Sequence, residues 1–142
     1  MRSLLDINVL IALIDPDHVS HTVAKAWWVL NREQGWASCP LTQNGCVRIV
    51  SQPAYPNPQT ATNVITLLAS ICADVFHEFW PDDASLLDPR QFHHAHIHGH
   101  RQITDLYLLG LAVKHSGRLV TFDGRIPLSA VHGATKLHML VL

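Results

Sequence analysis

Apolar residues in this chain fall in short blocks separated by Pro, Gly, Asp and Asn, and the repeat inside the blocks alternates between strand-like and helix-like. Ser3 to Leu5 reads as a buried strand that runs straight into a helix from about Asn8 to Ile14. Asp6 stands at the junction, and Asp15-Pro16-Asp17 ends the helix. Ser20 or His21 precedes a second helix over Thr22 to Leu30, which stops before Gly35 and is followed by a strand at Trp36 to Cys39. Thr42 reads as the N-cap of a third helix through Cys46 to Val50, closed by Pro53. Pro58-Gln59-Thr60 opens a fourth that runs to about Ile71, with Val64, Leu67, Leu68 and Ile71 on one face.

The run from Val75 to Trp80, rich in aromatic and β-branched residues and stopped by Pro81, reads as a strand, with a short helix at about Ala84 to Leu87 after it. Thr104 then caps a strongly apolar helix from Leu106 to His115, ended by Gly117. Arg118 to Phe122 and Leu137 to Leu142 read as the last two strands. Strands alternating with helices, without an internal repeat, predict one α/β domain over residues 1–142: a three-layer α/β/α sandwich around a mostly parallel sheet of about five strands.

Composition narrows the class. With 142 residues, 48% of them hydrophobic, the chain can bury about two-thirds of the surface it would expose unfolded. Ten Lys and Arg against eleven Asp and Glu argue neither for nor against a polyanionic partner, so any nucleic-acid contact must be local. Cys39, Cys46 and Cys72 are odd in number and form no C-x-x-C pair, which suits a reducing, cytoplasmic setting. The first apolar run is broken by Asp6 and Asn8, and reads as neither signal peptide nor membrane span.

Three acids carry the candidate chemistry. Asp6 and Asp105 interrupt strongly apolar stretches, where an unpaired carboxylate costs several kcal/mol or takes up a proton. Singly, Asp6 reads equally as a helix cap, Asp105 as a complement to a helix N-terminus, and Asp123-Gly124 as a turn. Together they are predicted at one edge of one sheet, the carboxyl ends of its strands, where α/β folds build their sites. Clustered carboxylates repel unless a divalent cation neutralises them; magnesium or manganese suits all-oxygen ligands, and such ions promote phosphodiester hydrolysis.

The segments Leu4 to Leu13, Leu41 to Ile49, Phe79 to Asp83, Gln102 to Ala112 and Leu119 to Asp123, in this order and spacing, resemble the PIN-domain ribonucleases, most closely the VapC-type toxins of type II toxin–antitoxin systems. The resemblance covers nearly the whole chain. It implies a magnesium-dependent endoribonuclease, with manganese as the alternative ion, in which Asp6 and Asp105 hold the metal and Asp123 completes the catalytic acids. It implies too a homodimer silenced by a cognate VapB-type antitoxin, and Asn8 and Thr121 as polar groups supporting the acids. Many PIN domains carry a glutamate on the third helix, but here the sequence is Thr42-Gln43-Asn44-Gly45, leaving Asn44 or Gln43 as neutral oxygen substitutes; Arg125 stands where a further acid is frequent.

Arg48, Arg101 and Arg125 are the candidate RNA-gripping residues, since guanidinium binds phosphate bidentately; a solvated face or an internal ion pair is their alternative role. Asp82, Asp83 and Asp88 read as turn or capping residues, with reach to the metal as the alternative. The His93 to His100 run is a candidate zinc or nickel site, or a cleft-mouth contact, and Trp27 and Trp28 load the second helix for packing or a partner. The competing functional classes are a metal-stabilised protein-binding module and a small-molecule phosphodiesterase.

Overall fold

The computed structural model describes residues 1–142. Five strands, β1 (Ser3–Leu5), β2 (Trp36–Ser38), β3 (His77–Phe79), β4 (Arg118–Thr121) and β5 (Met139–Val141), form one sheet in the order β3-β2-β1-β4-β5. Every pairing is parallel. All five carboxyl ends therefore lie along the same edge. The helices are α1 (Ile7–Ile14), α2 (His21–Asn31), α3 (Pro40–Val50), α4 (Ala61–Cys72) and α5 (Ile103–Lys114).

Alternation along the strands sorts the core into two layers. Leu4, Ala37 and Leu119 stand side by side in register and face α5, where they join Leu106, Leu109, Phe92 and Trp80. Leu5, Trp36 and Val120 point to the other face and pack with Val9, Leu10, Cys46, Val64 and Leu68 from α1, α3 and α4. The sandwich expected from the sequence is thus present, with a sheet that is wholly parallel. No helix is long and apolar enough to cross a membrane.

Several boundaries differ from the sequence reading. Helix α3 begins at Pro40, with Cys39 as N-cap; Thr42 instead stands in the first turn, and its Oγ1 accepts from the Cys39 N–H at 3.0 Å. Pro at the first helical position lacks the N–H that would be unsatisfied there, which is why the helix can start three residues early. Helix α5 likewise starts at Ile103, continuing a 3₁₀ turn at His100–Gln102, so Thr104 lies inside it. Residues 84–87 form no helix, β3 is shorter than its apolar run, and residues 136–138 are a 3₁₀ turn before β5.

The load on α2 is also distributed differently. Trp27 and Trp28 are half-buried against the core, and Trp28 meets Trp36 edge-on with ring centroids 6.2 Å apart. The exposed apolar surface of this helix is aliphatic: Val23, Val29 and Leu30, the last 80% exposed.

Candidate active site

Asp6 follows β1 and caps α1, its Oδ1 accepting the Asn8 N–H at 3.1 Å. Its Oδ2 accepts the Thr121 hydroxyl at 2.6 Å, and the same hydroxyl oxygen accepts the Asp123 N–H at 3.1 Å. Thr121 ends β4, the strand paired with β1, so one buried hydroxyl fixes the first acid and the chain that carries the third. The Asn8 contribution comes from its backbone; its side chain is exposed.

Asp105 projects from the first turn of α5. Its carboxyl is pushed up to about 6, first by burial, then by the negative charges of Asp6 and Asp123, against the opposing pull of Arg125. Burial also raises Asp6 above the usual carboxylate range, although Thr121 and the α1 amides pull the other way. The three acids predicted from sequence therefore share one electrostatic field. Asp123 is held below the usual range by Arg125, which binds it through Nε and Nη2 at 2.9 and 3.0 Å.

A cleft of about 270 Å³ opens over this edge, lined by Arg101, Gln102, Asp105, Asp123, Arg125 and Ile126. Arg101 is exposed on its rim. Arg125, also exposed, has two of its nitrogens occupied by Asp123. The donors offered to an ion are hard carboxylate oxygens, and Asp6 keeps lone pairs beyond its two hydrogen bonds. No three His, Cys, Asp or Glu side chains converge as a ready ligand set. That donor chemistry fits a magnesium- or manganese-type ion bound by two carboxylates and otherwise by water, and fits a softer metal poorly.

Asn44 and Arg48 do not line this cleft. They lie one turn apart on α3, beside a second, open depression of about 390 Å³ that also takes in Ile7, Leu41, Asp82 and Thr104. The Gln43 amide donates to the Ser38 Oγ at 2.9 Å, and that oxygen also meets His77 Nε2 at 2.8 Å, so Gln43 is committed to the β2 end of the sheet. Asp83 pairs with His115 and Lys114, and Asp88 with Arg90. Asp82 alone of these three reaches a depression beside the acids. Its signal in the sequence is its place just past β3, equivalent to the places of Asp6 and Asp123 after their strands.

The alternating histidines do not converge on a metal. His94 Nε2 bonds to the Leu86 carbonyl at 2.8 Å and His96 Nδ1 to the Ser129 carbonyl at 3.2 Å; the His93 ring lies 3.8 Å from that of His96 and 5.4 Å from that of His132, centroid to centroid. His93 and His96 tie the segment before α5 to the chain that follows β4, and His94 ties it back to Leu86.

No family model matches the chain. It is 52% identical to ribonuclease VapC44 of Mycobacterium tuberculosis over 142 residues, all of both chains, and 39% identical to ribonuclease VapC39 of the same organism over 96% of this chain and 99% of that one. Among solved structures, M. tuberculosis VapC20, described as a sarcin-ricin loop cleaving toxin, superposes with a TM-score of 0.63 at 12% identity, over 87% of this chain and 92% of the other. VapBC2 of Rickettsia felis, bound to a DNA fragment from its promoter, gives a TM-score of 0.59 at 16% identity, over 89% and 94%. The two structures share the fold, and the two full-length relatives fix the kinship: the chain belongs to the VapC ribonucleases, PIN-domain toxins of toxin–antitoxin pairs.

Proposed function

We propose that this protein is a divalent-cation-dependent endoribonuclease, the toxin of a type II pair, with Asp6 and Asp105 as the direct ligands of magnesium or manganese. The observation that carries this reading is the electrostatic strain that Asp6 and Asp123 place on Asp105, with Asp105 and Asp123 lining one cleft edged by arginines, in a chain 52% identical to a ribonuclease over its full length. A bound cation supplies Lewis-acid polarisation of the phosphoryl oxygens and a water activated for attack. The protein's own part is positional. Thr121 and the Asn8 amide fix the Asp6 oxygens, and Asp123 holds Arg125 across the cleft mouth, where its remaining N–H groups can take a phosphate oxygen.

Purified protein freed of any partner is expected to cut structured RNA with magnesium or manganese. Cleavage should stop on chelation and return when the ion is restored. Indifference to chelator would remove the metal from the mechanism, and turnover of a chromogenic phosphoester without RNA cleavage would make the protein a small-molecule phosphodiesterase.

Arg101 has no acidic partner, which suits it to hold the RNA backbone. Arg101→Ala should weaken RNA binding at every sequence and lower the slope of log affinity against log salt by about 0.7, the value for one phosphate contact on a single strand. An unchanged slope in a salt titration by fluorescence anisotropy would place Arg101 outside the RNA path.

A VapB-type antitoxin and a second copy of the chain are the proposed protein partners. The exposed aliphatic face of α2 supports a protein contact there, since apolar groups clustered on an exposed helix mark interfaces.

A further inference from the structure

We infer that the depression between α3 and Asp82 is a base-recognition subsite that selects guanine at a nucleotide next to the cleaved bond, with Asp82 reading the base and Arg48 holding its phosphate. The inference rests on the ribonuclease reading above and extends it to sequence choice.

The position of the depression follows from the sheet. Ile7 and Thr104 on its wall are the immediate chain neighbours of Asp6 and Asp105, so it adjoins the acids while sharing no lining residue with the cleft that holds Arg101 and Arg125. Asp82 follows β3, two strands from β1, or about 10 Å along the sheet edge. That separation is large for a shared metal ligand and suitable for the neighbouring nucleotide. Its volume, about 390 Å³, lies in the range of small-molecule sites.

The depression is shaped by a close approach of α1 and α3. A Cβ on Gly45 would stand 2.5 Å from Ile7 Cδ1, so the glycine lets the helices touch and brings Asn44 and Arg48 beside Ile7. Ile7 and Leu41 provide an apolar floor for a base plane. Ion pairing engages Asp74, Asp83, Asp88, Asp123 and Glu78 and includes neither Arg48 nor Asp82; Asp82 takes one hydrogen bond from the buried Cys39 thiol, and a carboxylate has further lone pairs for a base edge.

The chemistry of a carboxylate selects the base. It only accepts hydrogen bonds, and guanine is the RNA base with two adjacent N–H donors, N1–H and the 2-amino group, on its Watson–Crick edge. Adenine and cytosine place a ring acceptor beside their amino donor, and uracil flanks its N–H with two carbonyls, so each would set an acceptor against Asp82. Single-stranded RNA is commonly read by such edges. Arg48, on a fixed helix face, can grip phosphate bidentately.

The test is cleavage-site mapping on a pool of randomised single-stranded RNA with magnesium. The wild type should favour guanine at one fixed position beside the cut by about tenfold or more, the range of a good bidentate base contact. Asp82→Ala should bring that ratio near one. Arg48→Ala should weaken cleavage at all sites and leave the ratio in place. An unchanged guanine ratio in Asp82→Ala overturns the subsite while leaving the ribonuclease reading intact. Loss of all cleavage in a folded Asp82→Ala also overturns it, by assigning Asp82 to the catalytic acids. A wild type that cuts structured RNA but leaves the pool intact overturns the subsite alone, and a wild type that cuts neither overturns the ribonuclease reading and the subsite with it.

Discussion

Asp105→Asn is expected to abolish RNA cleavage and, at neutral pH without metal, to make the protein more stable than the wild type. The loss follows from the proposed role: a ligand-held cation stabilises the transition state by several kcal/mol, and losing about 4 kcal/mol slows cleavage about a thousandfold. The gain in stability follows from electrostatics. The folded protein holds the Asp105 carboxyl at about 6, against an ordinary value of 3.8, because of burial and the charges of Asp6 and Asp123. Between those values the folded state binds more protons than the unfolded one, so stability falls as pH rises through that window, and the penalty is complete above pH 6. Asparagine carries no charge and escapes it.

Melting curves in chelator should therefore place Asp105→Asn above the wild type at pH 7.5, with the gap closing as pH falls toward 4. Excess magnesium should raise the melting temperature of the wild type through preferential binding to the folded state, and should leave the variant unmoved. A variant that melts lower at neutral pH, or still cuts RNA, would refute the placement of Asp105 in the metal site.

The acids were legible in the sequence because each breaks an apolar block at a strand end or helix start, and a parallel sheet gathers strand ends at one edge. Thr121 was legible only through family resemblance, since its role depends on the β1–β4 pairing, which links residues far apart in the chain. Asp82 reads in the sequence as a turn or capping residue for a related reason. The run from Val75 to Trp80 is six residues of strand-like sequence, but Asp74 binds the Trp36 indole and the Phe76 N–H, so the strand forms only over His77–Phe79. The start of α3 differs from the sequence reading because Thr42 has the chemistry of a cap but supplies its capping bond from the third helical position.

The contact between Phe92 and Gly110 shows what holds Asp105 in place, and it is invisible in the sequence because it is purely steric. Gly110 lies on α5 five residues after Asp105, about 7.5 Å along the axis. A Cβ there would stand 2.3 Å from Phe92 Cζ and 2.6 Å from Cε1. Phe92 is fully buried and cannot easily retreat. It bridges to Val131, and bonds from His93 N–H to the Ala130 carbonyl and from His132 N–H to the Gln91 carbonyl, both 2.9 Å, clamp its two sides.

Gly110→Ala should therefore destabilise by about 1–3 kcal/mol through overpacking, even though alanine is the better helix former by about 1 kcal/mol. Phe92→Ala should cost about 3–5 kcal/mol through the cavity it leaves. Combining Gly110→Ala with Phe92→Leu should cost less than the sum of the two single changes, because the smaller side chain makes room for the new methyl; a coupling of about 0.5–3 kcal/mol is usual for residues in contact. Urea denaturation measures all of these variants, and strict additivity would mean that ring and helix do not press on one another. In the folded Gly110→Ala protein, α5 should relieve the clash by shifting outward and carry Asp105 with it, so RNA cleavage should fall more steeply than the folded fraction.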